Sequence, residues 1–296
     1  MPTKQAAENG GIEVNWAIPM WPILLHLHLV PAALYAALGL YFWRTRAVGA
    51  SSAPVPGMAR FERVLLILAL ISHGIALQGA IFPGGEMRFG FSVALSLAVW
   101  LAICFYWVET LYNRLDGLRA IVLSAGVLAC LLVVVFPASH VLSDDSIASP
   151  VFRVHFIIAM LAYSLFMLAA LHAMLMAMAT KQLHHGRLSK ALANLPPLLT
   201  MEALLFRLIG IAFVLLTLTL LTGIVFTETL FGTAFRVDHK TVFATISWLL
   251  FGILLIGRHF RGWRGRVALR WTLAGFITLM LAYVGSRFVI EVLLHR

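Results

Sequence analysis

The sequence predicts an all-α, polytopic integral membrane protein: a bundle of about eight transmembrane helices with both termini on the outer side. Three observations carry that prediction. The 296 residues are 61% hydrophobic and only 11% charged, with a mean hydropathy of +0.95, far from the composition of soluble domains. The apolar residues gather into runs that approach the roughly 20 residues a helix needs to cross the hydrocarbon core. The arginines and lysines concentrate in alternate connections between those runs, as the cytoplasmic side of a membrane bundle requires.

One stretch shows how the runs are read. Residues 236–266 open on Arg236, Asp238, His239 and Lys240, carry no charge from Thr241 to Gly257, and close on Arg258, Arg261, Arg264 and Arg266. The arginines place that end in the cytoplasm, so His239 belongs to the outer surface. Taken in order, the runs predict crossings from Trp16 to Trp43, Phe61 to Phe82, Phe89 to Thr110, Ala120 to Phe136, Val154 to Ala179, Leu208 to Leu230, Thr241 to Gly257 and Trp271 to Leu294. Ahead of them, residues 1–15 form a polar tail without the basic, apolar, small-residue order of a cleavable signal, so the first run is expected to be retained. The Ser, Pro and Gly between Arg44 and Arg60 mark an inner loop, and Lys181 to Thr200 reads as the longest inner linker. Neither is large enough for a soluble domain, and residues 1–296 are expected to form a single membrane domain. Small residues such as Gly39, Ala162, Gly223, Gly252 and Gly275 are expected where helices approach closely.

Charge and cysteine content exclude several function classes. The net charge of +10 sits in short loops, where membrane orientation accounts for it, and no nucleic-acid partner is indicated. Cys104 and Cys130 lie far apart inside apolar runs and read as packing residues. A Gly-rich phosphate loop, an HExxH pair and paired catalytic carboxylates are all missing from the sequence. Glu109 and Glu228 lie near helix ends without pairing in sequence, so hydrolytic catalysis has no support.

The 11 histidines are the remaining chemistry, and the predicted topology sorts them by depth. His140, His155, His239 and His295 fall at the outer face; His26, His28 and His73 lie near mid-membrane; His172 lies toward the cytoplasm, and His184, His185 and His259 lie at that surface. Ionisable groups in membrane spans usually face an interior site. His155, at the start of the fifth helix beside Arg153, is either an axial ligand to a heme iron or an interfacial residue bonded to water or backbone. Iron takes a neutral imidazole nitrogen, and porphyrin propionates attract cations. His239 has the same placement, with Arg236 and Lys240 as propionate candidates, whereas His295 lies at a helix C-terminus. His73, about ten residues or roughly 15 Å from Arg63, is either a ligand or a neutral histidine bonded to a neighbouring helix. His26 and His28 are about 200° apart around a helix, so at most one can join His73.

Five segments also resemble a known family. ISHGIAL in the second helix, VHFIIAMLAYSLF in the fifth, DHKTVFATISWLLFGILLIGR, the RGWRGR that follows it, and LAYVGSRF in the last make residues 60–296, most clearly 151–296, similar to the CcsA-type cytochrome c assembly proteins, in particular their short YpjD-like branch. The resemblance implies a bacterial inner-membrane heme-handling protein in cytochrome c-type biogenesis, holding heme b through outer-face histidines. By motif, His155 corresponds to the first external iron ligand and His295 falls close to the second, with His239 as the other choice; His73 matches the histidine of the second-helix segment. The implied partners are heme, lipid, and apocytochrome c or another cytochrome c assembly protein. The stretch FTETLFGTAFRVDHK contains no Trp where full-length CcsA proteins carry a Trp-rich heme-presenting loop, and a buried histidine of the family falls at about Ile256, with His259 nearby. An alternative reading is therefore a regulatory or scaffold subunit of the same fold that does not deliver heme. A transporter with His73 lining a path would call for a broken-helix pair or repeat, which the sequence lacks.

Overall fold

The computed structural model describes residues 26–47, 58–112, 116–138, 140–142, 147, 149–184, 197–231 and 238–294. In chain order the helices are α1 (Leu29–Phe42), continued by a π-helical turn (Trp43–Ala47), α2 (Arg60–Ile81), α3 (Phe91–Tyr112), α4 (Asp116–Val135), α5 (Pro150–His184), α6 (Leu198–Phe231), α7 (His239–Arg261) and α8 (Gly265–Met280), which runs on through irregular helical turns to Leu293. Among the described residues, seven helices, α2 to α8 with its continuation, are long and apolar enough to cross a membrane. α1 is the inner part of the first expected crossing, whose start at Trp16 lies outside the described residues.

Helix ends differ most from expectation at α5 and α6, both of which extend into the stretch read as an inner linker. Local chemistry explains the additions. α5 starts on Pro150, suited to a first helical position, with Phe152 N–H donating to Ser149 Oγ at 3.4 Å. The early turns of α6 carry Glu202 and Arg207, polar in sequence yet paired in space with Arg258 of α7 at 2.6 Å and Glu109 of α3 at 3.2 Å. α7 starts where the Asp238 carboxylate accepts from Thr241 N–H at 2.9 Å. It stops at Gly262, whose left-handed φ of 63° suits a residue without Cβ.

α5 is the axis of the bundle, packing against α3, α4, α6 and α8. Ala162, Ala169 and Ala173 are fully buried along it, small enough for close helix approach where lipid offers no hydrophobic drive to association. Phe166 of α5 stacks on Phe251 of α7 with centroids 3.9 Å apart. Beneath that stack, a Cβ on Gly275 of α8 would come within 2.9 Å of Phe251, and Ser247 donates to the Gly275 carbonyl at 2.9 Å. Gly252 likewise admits Phe213, while Gly39, expected at a helix contact, faces open space. Cys130 is buried and Cys104 half-buried, both as free thiols.

Ion pairs close the end of the bundle whose loop charge reads as cytoplasmic. Glu62 of α2 is held by Arg119 of α4 at 3.3 Å with both side chains almost fully buried, accepts from Ala59 N–H at 2.7 Å, and has the Arg119 guanidinium over Phe42 at 5.1 Å. An uncompensated buried carboxylate costs several kcal/mol, so some arginines that orient the chain also neutralise its inner carboxylates. On the outer side two connections are stitched by an antiparallel bridge between Arg88 and Val141, with Phe89 N–H donating to the His140 carbonyl at 3.0 Å and Leu142 N–H to Met87 at 2.9 Å. This pairing sets Phe89 and His140 at the outer helix ends.

Candidate functional site

His155 lies just over one turn into α5, half-buried against the outer end of α6. Its Nδ1 is 3.0 Å from Thr222 Oγ1. The Thr222 hydroxyl also lies 2.8 Å from the Leu218 carbonyl and 3.2 Å from that of Thr219, and the tautomer in which Nδ1–H donates to Thr222 carries the ring's lone pair on Nε2. The same ring is hydrogen-bonded to the Thr219 backbone. Gly223 makes the fit close, since a Cβ there would stand 3.3 Å from His155 Cε1. A hydrogen bond at one ring nitrogen that fixes the imidazole plane is usual for a metal-ligating histidine.

The other expected site residues occupy three settings. His239 is the first residue of α7 and is exposed, beside the capping Asp238. Burial raises the Asp238 pKa, but the hydrogen bonds from Thr241 N–H and Oγ1–H outweigh it and hold the carboxyl below its ordinary value, helped by Lys240 and His239. Arg153 is exposed and its Nε donates to the Ile147 carbonyl at 2.8 Å, pinning the segment that leads into α5. Arg236 and His295 lie outside the described residues. His155 thus faces α6 while His239 faces outward.

Lys240 joins a cluster that sequence reading did not assemble. Its Nζ lies 5.4 Å from the centroid of the Tyr283 ring, and Arg287 Cζ lies 6.0 Å from the same ring. His140 stands near enough for its pKa to be lowered by burial and then by the charges of Arg287 and Lys240. Glu291, one turn beyond Arg287, accepts from Phe91 N–H at the start of α3 at 3.2 Å, where Gly90 leaves it room. A row of rings joins this cluster to the His155 turn: Phe156 to Phe89 at 5.0 Å and Phe89 to Tyr283 at 5.8 Å. Tyr283 and Arg287 share the i, i+4 spacing within LAYVGSRF, the one sequence signal that linked them; Gly223 was expected at a helix contact as a small residue, and Thr222 carried no signal.

His73 is fully buried on α2, its Nδ1 3.3 Å from Tyr35 Oη and its Nε2 2.9 Å from Ser96 Oγ. His28 packs edge-on at 6.1 Å while His26 is exposed, the separation the helix period required. A metal at His73 would have to displace Tyr35 or Ser96. His172 is likewise fully buried, on the inner half of α5.

A helical membrane bundle with this set of outer and buried histidines defines a class, and the sequence identifies it: residues 32–294 match the cytochrome C assembly protein family, to which the chain belongs. It is a multi-pass inner-membrane protein with a role in cytochrome c biogenesis. It is 31% identical over 236 residues to the inner membrane protein YpjD of Escherichia coli (strain K12), covering 79% of this chain and 88% of that protein. It is 38% identical over 88 residues to the cytochrome c biogenesis protein CcsA of Prochlorococcus marinus (strain MIT 9515), covering 30% of this chain and 28% of that protein.

Proposed function

We propose that this protein holds heme b at its outer face, with His155 as one axial ligand and His295 or His239 as the other. The observation that carries the reading is the 3.0 Å contact between His155 Nδ1 and Thr222 Oγ1, which orients the imidazole plane and supports the tautomer with its lone pair on Nε2. The surroundings suit the group: Phe89, Phe152 and Phe156 supply apolar ring surface, and Lys240, with Arg153 and Arg236 in the flanking segments, supplies cations for the propionates. Bound heme would supply the porphyrin that an apocytochrome c receives. The chain's own residues would orient and retain it, and covalent attachment would fall to a partner, either apocytochrome c or another assembly protein. His73 belongs to the proposal as an interior ligand only in a state where Tyr35 or Ser96 has moved.

The visible spectrum of the full-length protein purified in detergent tests the reading. Wild type loaded with heme is expected to show a Soret band that His155→Ala weakens or shifts. A wild type that takes up no heme would overturn the proposal and favour a scaffold subunit.

A further inference from the structure

The RGWRGR motif between α7 and α8 is not used by the heme reading, and membrane orientation explains its charge but not its shape. Gly262 and Gly265, with φ of 63° and 54°, turn the chain back between the two helices. Trp263 folds onto Gly257, where any side chain would collide with the indole, and its ring lies 5.4 Å from that of Trp271. Trp263 N–H donates to the Gly257 carbonyl at 3.2 Å. The Arg258 guanidinium ties the Trp263 carbonyl at 3.3 Å to Glu202 at 2.6 Å and lies over Phe206 at 4.6 Å.

Glu202 also takes Arg264 at 3.5 Å and Gly265 N–H at 3.4 Å. One carboxylate therefore answers two of the five arginines on this hairpin. Arg261, Arg266 and Arg270 are exposed and form no ion pair among the described residues. Arg266 and Arg270 are four apart on one helix face, and Phe260, 78% exposed, stands beside Arg261. Three guanidinium groups and an apolar ring are thus held on a rigid turn at the inner membrane surface.

We infer that this hairpin is a binding site for an anionic phospholipid headgroup of the inner leaflet, with Arg261, Arg266 and Arg270 on the phosphates and Phe260 against the acyl region. A guanidinium matches phosphate oxygens bidentately, anionic lipids concentrate on the cytoplasmic leaflet, and three cations suit a lipid with two phosphates better than one with a single phosphate. Arg258 and Arg264 are instead engaged by Glu202.

Native mass spectrometry of the full-length, delipidated protein tests this with cardiolipin, phosphatidylglycerol and phosphatidylethanolamine in separate arms, and with inorganic phosphate as competitor. Wild type is expected to retain cardiolipin most strongly, phosphatidylethanolamine least, and to keep cardiolipin in millimolar phosphate. Arg266→Gln with Arg270→Gln should weaken cardiolipin binding roughly tenfold, while Arg63→Gln, an inner arginine on α2, should leave it unchanged. Equal retention of all three lipids by wild type, displacement by phosphate, or equal loss in the Arg63 variant would overturn the assignment. The wild-type arms stand even where a variant folds poorly.

Discussion

His155 Nδ1 and Thr222 Oγ1 lie 3.0 Å apart across the α5 and α6 interface, 67 residues apart in sequence. This contact orients the imidazole plane, and with Nδ1–H as donor it goes with the tautomer whose lone pair is on Nε2. Thr222→Val removes the acceptor at nearly constant volume. Heme affinity, read by Soret titration, is expected to fall about tenfold to a hundredfold, as for other partners that orient metal-ligating histidines, and Thr222→Ser to restore most of it. Unchanged affinity in Thr222→Val would separate the threonine from the ligand.

Gly223 sets the other wall of that contact. Gly223→Val would press on His155 Cε1, which already lies 3.3 Å from the nearest point a Cβ could occupy, and would turn the ring away from Thr222. The Soret maximum should shift or weaken relative to wild type.

The most buried ion pair should dominate stability on the cytoplasmic side. Glu62 and Arg119 are 3% and 5% exposed, so Glu62→Gln would take away the carboxylate against which a buried guanidinium is held. A loss of about 3 kcal/mol is expected by thermal or denaturant unfolding in detergent. The double variant Glu62→Leu with Arg119→Met should recover much of it, since no unpaired charge remains.

Close packing of α7 on α8 should tolerate no added volume. Gly275→Val would overlap Phe251, whose ring carries the stack on Phe166. Overpacking of this kind costs about 1–3 kcal/mol, to be read from the unfolding transition, whereas Gly39→Ala, in open space, should be near neutral.

His140 reports on the outer cationic cluster. Burial first, then Arg287 and Lys240, lower its pKa, so the folded state binds fewer protons than the unfolded chain. Its contribution is therefore present above the ordinary histidine range and is lost as pH falls through it. In an NMR titration His140 should titrate below 6.5, the ordinary value, and Arg287→Gln or Lys240→Gln should raise it. No change in either variant would place the two charges elsewhere.

The crossings from α2 to α8 were legible in the sequence because hydropathy is a property of the chain taken in order, and lipid imposes it on any helix that spans it. The opposed settings of His26 and His28 followed from the helix period alone. Spatial partners were not legible. The turns around Glu202 and Arg207 were left out of the crossing expected from Leu208 because their countercharges, Arg258 and Glu109, come from other helices. Thr222 looked like any threonine in an apolar run until α6 was rotated to face His155, and Arg287 became part of an outer cluster only when α8 met α7. Helix rotation and pairing decide which side chains meet, and these depend on packing summed over the whole bundle, through residues such as Phe166, Phe251 and Gly275.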